Sequence, residues 1–425
     1  MDIQELYRLF KEHPSVQTDS RKVQPGDIFF ALKGPSFNGN LFALQSIAAG
    51  AAYAVVDEYD GLPHDQVIVT EDVLTTLQQL AKYHRKQFSI PFIAITGSNG
   101  KTTTKELVHE VLSASYITYT TEGNLNNHIG VPLTLLKIKP DAQMAIIEMG
   151  ANHQREIASY CEYTLPTHGL ITNAGKAHLE GFGGVEGIRK GKGELFDFLR
   201  ANNGTAFIMK DYDYLTEMSR GIGNIITYGT KDASLTGEVA GSHTLLEVQV
   251  TGGMDPILIR TQLVGDYNLP NVLAAVTLGK FFNVPQEKIK AALENYTPSN
   301  SRSQLVQSGS NKIILDAYNA NPSSMKAAIE NFAAMEGDEK ILMLGGMREL
   351  GDESMEEHQM LVDLISRYTW KKVVLVGGDF KSAHGTYQYF DTAEAARDWY
   401  RVQAFENSQV LIKGSRGIQM EKVLQ

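Results

Sequence analysis

Apolar residues recur along this chain with two periods, and the switches between them lay out the elements. At the start Ile3, Leu6, Tyr7 and Phe10 stand at i, i+3, i+4 and i+7, the stripe of an amphipathic helix. Short apolar runs at residues 27–31, 53–56 and 66–69 predict strands and 73–85 predicts a helix, so residues 1–85 read as a small α/β domain without a nucleotide fingerprint. A β run at 92–95 meets a glycine loop, and a helix with Leu107, Val108, Val111 and Leu112 on one stripe follows. Buried-strand runs at 144–147 and 170–172, with helical patterns between them, predict a doubly wound parallel sheet. Residues 201–259 alternate short strands with Gly-rich turns and read as an antiparallel flank; a helix over 270–282 and a polar linker over 297–303 come next. Apolar runs at 312–316, 341–344, 373–376 and 410–412, each a helix length apart, predict a second doubly wound unit, Rossmann-like in pattern. The fold class is therefore α/β in three domains, 1–85, 86–298 and 299–425. Length agrees, since at about 150 residues per domain the 425 residues make three.

Composition narrows the function classes. Hydrophobic residues at 43% and charged residues at 21% are ordinary for a globular protein and exclude a disordered or fibrous chain. The net charge of -10 argues against a general nucleic-acid or anionic-membrane binder, although a local basic pocket can still take an anionic small substrate. A single cysteine, Cys161, excludes an intramolecular disulfide and a cysteine-built metal site. Asp2 and Glu5 in the first helix are foreign to a secretory signal, and the longest apolar stretch, 47–56, is interrupted by Gly50 and falls far short of the ~20 residues that span a bilayer. The expectation is a cytoplasmic protein with no membrane insertion.

The strongest chemical signal is Gly97-Ser98-Asn99-Gly100-Lys101-Thr102-Thr103. Backbone N–H groups at a helix N-terminus make a nest for phosphate oxygens, a lysine reaches the outer phosphates, and the hydroxyl after it binds Mg2+. Lys101 and Thr102 occupy those two places. The loop is the short form G-x-x-G-K-T, with Ile95 where the longer phosphate-loop pattern has its first glycine. A plain glycine turn would not explain the strand before it and the helix after it.

Glu148 and His178 fall near the carboxyl ends of predicted strands, where open α/β sheets place ligands. A carboxylate and an imidazole together suit a divalent ion beside ATP phosphates. Taken singly, Glu148 reads equally as a carboxylate at a helix N-terminus and His178 as a surface-loop residue. In a helix over 188–200, Lys192 shares the apolar stripe of Ile188, Leu195 and Leu199, while Lys190 points away. Desolvation lowers an amine's pKa, and the neutral amine can take up carbon dioxide as a carbamate, an anion suited to supporting a metal. The alternative is a lysine snorkelling at the edge of the stripe, and Gly187, Gly191 and Gly193 weaken the helix itself. Asn268-Leu269-Pro270-Asn271 and Asn321-Pro322 read as helix entrances or as contacts to nucleotide or substrate. Asp316, ending a predicted strand, is placed like a ribose-binding acid.

Nine segments then stand in order from residue 18 to 416: TDSRKVQPGDIFFALKG, ITGSNGKTTTKE, TEGNLNNHIGVPLTLL, EMGANHQREI, ITNAGKAHLEGFGG, KGKGELF, LDAYNANPSS, GGMRELGDES and LIKGSR. Together they resemble the Mur ligases of bacterial peptidoglycan synthesis. The resemblance implies an N-terminal domain that holds the uridine nucleotide, a central ATPase domain and a C-terminal Rossmann-like domain that closes over both. It implies that ATP phosphorylates the terminal carboxylate of UDP-MurNAc-tripeptide and that the amine of D-Ala-D-Ala attacks the acyl phosphate, in a monomeric enzyme. It further implies that Lys101 is the phosphate-loop lysine, that Thr102, Glu148 and His178 are Mg2+ ligands, that Lys192 is carbamylated, and that Asn127 lies near the reacting groups. Asn268 and Asn271 match the adenine-site segment, Arg302 an interdomain arginine near the phosphates, and Asp316 the ribose acid. Ser20 and Arg21 fall in the segment that meets the uridine diphosphate, and Asn319 and Asn321 in the pattern on the substrate side of the C-terminal domain. Three places depart from the family: Tyr267 where His is frequent, Asn38-Gly39-Asn40 where Asp-Gly-His is frequent, and Gly345-Gly346-Met347 where Gly-Asp-Met is usual. The sister ligase that adds the third amino acid carries Asp-Asn-Pro-Arg where this chain has Asn319-Ala320-Asn321-Pro322-Ser323. A regulatory P-loop ATPase would account for the loop alone, and Asn311-Lys312-Ile313-Ile314 lacks the Asn-Lys-x-Asp of a GTPase.

Overall fold

The computed structural model describes residues 2–241, 244–298, 302–337 and 339–425. The first helix, Ile3–Glu12, is capped by Asp2, whose carboxylate accepts from Glu5 N at 2.8 Å, and buries Leu6, Leu9 and Phe10. Four short parallel strands follow in spatial order Val16–Gln17, Ile28–Phe30, Tyr53–Val56 and Val67–Val69. Ile28, Phe29 and Phe30 are all buried because both faces of this sheet are covered, which is why they read as an unbroken apolar run.

Helix Val73–Arg85 fastens this unit to the next by packing on helices Gly130–Leu136 and Glu156–Thr164. Arg85 is buried, and no carboxylate pairs with it among the described residues. Its Nε and Nη2 instead donate to the carbonyls of Thr164 and Leu165 at 2.8 and 2.9 Å, and its guanidinium lies 3.6 Å from the centre of the Phe92 ring. The negative end of helix Glu156–Thr164 thus answers the charge, while burial lowers the guanidinium pKa to about 10.

Among the described residues the central sheet has nine strands. Phe92–Thr96 lies between His168–Ile171 and Met144–Glu148, all parallel, so the loop after it opens where strand order reverses. The antiparallel flank is present but narrower than residues 201–259. Thr205–Met209, Asn224–Gly229 and Leu235–Val239 continue the parallel sheet, and the antiparallel pairings are confined to Leu245–Gly252 with its two neighbours, Leu235–Val239 and Ile257–Val264. Thr205–Met209 is an interior strand, and a helix of one and a half turns, Asp213–Met218, makes the crossover that its glycine-rich surroundings conceal.

The third sheet runs Gln304–Ser308, Asn311–Asp316, Gln409–Lys413, Lys340–Gly345, Lys372–Val376 and Gln388–Phe390, parallel except for the first strand. Its two edge strands have no fully buried residue, Gln304–Ser308 being largely polar and Gln388–Phe390 only three residues long, which hid them from the apolar pattern. Of the predicted linker over 297–303, residues 299–301 lie outside the described residues. Among the described residues no helix is long and apolar enough to cross a membrane.

Candidate active site

Every residue of Phe92–Thr96 is buried, and the chain must turn sharply where it leaves the sheet. Gly97 does so at φ +142°, where a Cβ would sit 2.0 Å from Thr172 Oγ1; Gly100, at φ +79°, would place one 2.6 Å from Asn271 Oδ1. Ser98 N donates to Asn173 O at 2.9 Å, Asn99 N to Asn173 Oδ1 at 3.1 Å, and Thr172 Oγ1 to Asn99 O at 2.6 Å, so the neighbouring strand's loop holds the turn open. Helix Lys101–Ser113 begins there without a side-chain cap, leaving N–H groups for an anion. Lys101 Nζ folds back onto the carbonyls of Gly97 and Ser98 at 2.7 and 3.2 Å. Burial lowers its pKa, and the charge of Glu148 opposes that.

Glu148 ends its strand 1% exposed. Its Oε1 accepts from Thr102 Oγ1 at 3.1 Å and from Asn126 Nδ2 at 2.7 Å, while Oε2 is buried with no hydrogen-bond partner among the described residues. A bare buried acceptor costs about 1–3 kcal/mol, and a cation would answer it. His178 precedes the short helix Leu179–Phe182 in the left-handed region, φ +54°. No group of three or more His, Cys, Asp or Glu side chains converges among the described residues. Mg2+ does not need one, because it keeps waters and substrate phosphates around one or two protein carboxylates. Glu148, Thr102 and His178 all face the same cavity and fit such an ion.

The helix carrying Lys192 runs Val185–Ala201, through all three glycines that weakened it in the sequence. Gly187 and Gly191 serve packing: a Cβ on either would strike Phe182, at 1.8 Å from its carbonyl oxygen and 2.4 Å from its ring. Lys192 is 1% exposed, its Nζ donating to Ala151 O at 2.9 Å and lying 4.9 Å from the centre of the Phe182 ring, whereas Lys190 is exposed. Snorkelling is therefore excluded. Burial, reinforced by the charge of Lys101, pushes the amine's pKa well below its ordinary value.

A cavity of about 720 Å³ opens between the central and C-terminal sheets. Ser98, Asn99, Gly100, Lys101, Thr102, Thr103, Asn127, Glu148, His178, Asn268, Asn271, Arg302, Asp316, Asn319 and Asn321 all line it. Gly97 and Lys192 are not on its wall; Lys192 sits behind Ala151, which is. Ser20 and Arg21 are elsewhere, in a single 3-10 turn of the N-terminal unit where Arg21 Nε pairs with Asp19 at 2.8 Å. Asn127 Oδ1 accepts from Gly130 N at 2.8 Å at the start of helix Gly130–Leu136. Asn321 caps helix Pro322–Ala334 reciprocally with Ser324, and its Nδ2 donates to Asn99 Oδ1 at 2.7 Å, tying the C-terminal unit to the phosphate loop. Asn268 precedes helix Leu269–Phe281 but its side chain does not cap it. Instead it bonds Val264 O and Asn271, and Asn271 Oδ1 accepts from Thr104 Oγ1, a buried network behind the loop.

Asp316 meets a partner that the sequence reading passed over. Lys413 Nζ lies 2.6 Å from Asp316 Oδ2 with its side chain 3% exposed, and Ser303 N donates to Oδ1 at 3.1 Å. The available signal was a lysine ending the apolar run Val410-Leu411-Ile412. Arg302 stacks 3.6 Å from the centre of the Tyr318 ring, and Tyr212 and Tyr214 stack on one another across the cavity wall at 5.7 Å; no period marks these tyrosines. Tyr267 lines the cavity too, its hydroxyl 3.1 Å from Ser303 Oγ. Asn40, in the second departing segment, is buried and joins Asn38 to Asp57.

A phosphate loop on one sheet, facing an acid and a lysine of a second sheet across one cavity, is the layout of an enzyme that takes a nucleotide between two sheets. The chain belongs to the Mur ligase family: the family's catalytic domain matches residues 14–89, its middle domain 95–279 and its glutamate ligase domain 301–416. It is 36% identical over 424 residues to the UDP-N-acetylmuramoyl-tripeptide–D-alanyl-D-alanine ligase of Escherichia coli (strain K12), covering 96% of this chain and 92% of that one. It is 33% identical to the enzyme of the same name from Bacillus subtilis (strain 168), with the same coverage of both. A crystal structure of MurF from Acinetobacter baumannii superposes with a TM-score of 0.88 at 32% identity, over 96% of this chain and 92% of that one. A MurF ligase from Thermotoga maritima in complex with ADP shares the fold, with a TM-score of 0.88 at 24% identity over 96% of each chain.

Proposed function

We propose that this chain uses ATP to join the terminal carboxylate of UDP-MurNAc-tripeptide to the amine of D-Ala-D-Ala in peptidoglycan precursor synthesis. The observation that carries this reading is the single cavity that has the phosphate loop and Glu148 on one wall and Asp316, Lys413 and Asn321 on the other. The named relatives supply the identity of the substrates.

In this reading the backbone N–H groups of residues 98–103 and Lys101 hold the β- and γ-phosphates, and Asp316 accepts from the ribose hydroxyls while Lys413 and Ser303 keep it oriented. Asn268 and Asn271 form the adenine side, Arg302 approaches the phosphates, and Asn127 borders the reacting groups, with Asn319 on the substrate side. A tripeptide carboxylate oxygen attacks the γ-phosphorus as its bond to ADP breaks. The dipeptide amine then adds to the acyl phosphate carbonyl, gives up a proton, and expels phosphate from the tetrahedral intermediate. Thr102, Glu148 and His178 would hold Mg2+, which supplies charge neutralisation on the transferred phosphoryl. Lys192, whose pKa burial pushes well below its ordinary value, is set up to bind carbon dioxide as a carbamate behind that site. Residues 1–85, with Ser20 and Arg21, form the domain for the uridine diphosphate, 86–298 the ATP domain and 299–425 the closing domain, in a cytoplasmic monomer.

The test is release of ADP and phosphate with ATP, Mg2+ and UDP-MurNAc-tripeptide, with and without D-Ala-D-Ala, followed by mass spectrometry. Phosphate and pentapeptide rising together only with the dipeptide present is the expected result. Turnover with a UDP-linked dipeptide and a free amino acid instead would replace this reading with that of the sister ligase.

A further inference from the structure

His178 is gripped from behind by a residue of the C-terminal unit. Glu349 Oε2 is in ion-pair contact with His178 Nδ1, and of the two only His178 lines the cavity. A carboxylate against one ring nitrogen keeps the proton there, leaves the lone pair of Nε2 free, and fixes the plane of the ring. Metal-ligating histidines are oriented in this way.

The contact is built on a scaffold. Both residues adopt the left-handed backbone region, His178 at φ +54° and Glu349 at φ +62°, which a non-glycine residue keeps only where its surroundings enforce it. Leu179 and Phe182 anchor the helix after His178. Leu350 is buried beside Glu349, and Gly351 approaches so closely that a Cβ there would lie 3.2 Å from Glu180 Cβ. Met347 N donates to Nε2 of the buried His358 at 3.0 Å, pinning the start of the loop. The Glu349 side chain is itself 55% exposed, so the backbone on either side of the pair, and not burial of the carboxylate, holds it in place.

We propose that Glu349 is a positioning residue for the metal-facing imidazole of His178, supplied by the C-terminal unit, so that docking of that unit completes the divalent-cation site. This rests on the reading of His178 as a Mg2+ ligand. It makes cation affinity and domain docking reciprocal: whatever draws the two units together raises affinity for the ion, and the ion favours the docked arrangement. A second ion pair, Lys176 to Glu357 at 2.5 Å, bridges the same two units without touching His178 and serves as the control.

The experiment titrates Mn2+ into the full chain with a non-hydrolysable ATP analogue and reads free and bound Mn2+ by electron paramagnetic resonance, with a thermal melt to show that each variant is folded. Glu349→Ala is expected to weaken Mn2+ binding roughly ten- to a hundredfold. Glu349→Gln restores most of it, because an amide oxygen can still stand against Nδ1. Glu357→Gln, which loosens the same interface without touching His178, weakens Mn2+ binding clearly less than Glu349→Ala, and His178→Ala loses at least as much as Glu349→Ala. Equal weakening by Glu357→Gln and Glu349→Ala would reduce Glu349 to an interface tie and overturn the proposal. So would unchanged affinity in Glu349→Ala beside a loss in His178→Ala. Unchanged affinity in His178→Ala would instead remove the ligand reading, and the proposal with it.

Discussion

Lys192→Met separates what the buried amine does for the fold from what it does for the reaction. Methionine keeps much of the side chain's length and removes the amine, which donates to Ala151 O at 2.9 Å and whose environment includes the like charge of Lys101. Burial lowers the folded-state pKa below 10.5, so between the two pKa values the unfolded chain binds more protons than the folded one. Stability contributed by this site therefore rises with pH across that window, by up to about 1.4 kcal/mol per pH unit. Below the window the amine is a standing cost that methionine abolishes. Urea unfolding in buffer freed of carbon dioxide, from pH 7 to 10, should show the wild type gaining stability relative to Lys192→Met as pH rises, with the variant at least as stable at pH 7. Ligation by the same variant should fall about a hundredfold or more, the scale seen when a preorganised charge is removed from an active site. With 13C-bicarbonate the wild type should show a carbamate carbon that the variant lacks. In Lys192→Ala, where space is left, a short-chain acid should restore part of the activity and bicarbonate none. Near wild-type ligation by either variant would remove the carbamate from the mechanism. A Met variant several kcal/mol less stable than wild type would make the amine a structural tie instead.

Three further outcomes follow from the same geometry. Glu148→Gln keeps an acceptor for Thr102 and Asn126 and removes the charge on the bare oxygen, so urea unfolding should move by about 1 kcal/mol or less while phosphate release falls about a hundredfold; a retained rate would dismiss Glu148 as a metal ligand. Asn321→Ala loses both its cap and its bond to Asn99, and should cost about 1–2 kcal/mol in denaturant unfolding and raise KM for ATP more than it lowers kcat; an unchanged KM would show that the tie does not shape the loop. His168 packs among the rings of Phe207, Phe281 and Phe282, and burial lowers its pKa from 6.5 to about 4. The unfolded chain takes up that proton first, so stability falls as pH drops from 6.5 to about 4, by about 3 kcal/mol at most. His168→Phe should flatten this part of the acid unfolding profile, and an identical profile would refute it.

Features written in neighbouring residues were legible in the chain itself. The strand into Gly97, the turn and the helix from Lys101 follow from an apolar run, two glycines and a 3.6-residue stripe. The place of Lys192 on the stripe of Ile188, Leu195 and Leu199 was legible, though burial over snorkelling was decided by the packing of Ala151 and Phe182 around its amine, and the capping of helix Pro322–Ala334 followed from Asn321-Pro322. These are local rules of backbone hydrogen bonding and side-chain direction, and they act within a few residues. The edge strands Gln304–Ser308 and Gln388–Phe390 escaped because the first is largely polar and the second only three residues long, so neither carries a periodic apolar signal. Gly187 and Gly191 of helix Val185–Ala201 misled because their reason is the approach of Phe182, a contact between elements. Lys413 beside Asp316, Glu349 beside His178, and Asn321 beside Asn99 were settled only by tertiary structure. Sheet order and the docking of one unit on another bring those groups together across long stretches of chain, and no periodicity within a segment records which distant side chain will face it.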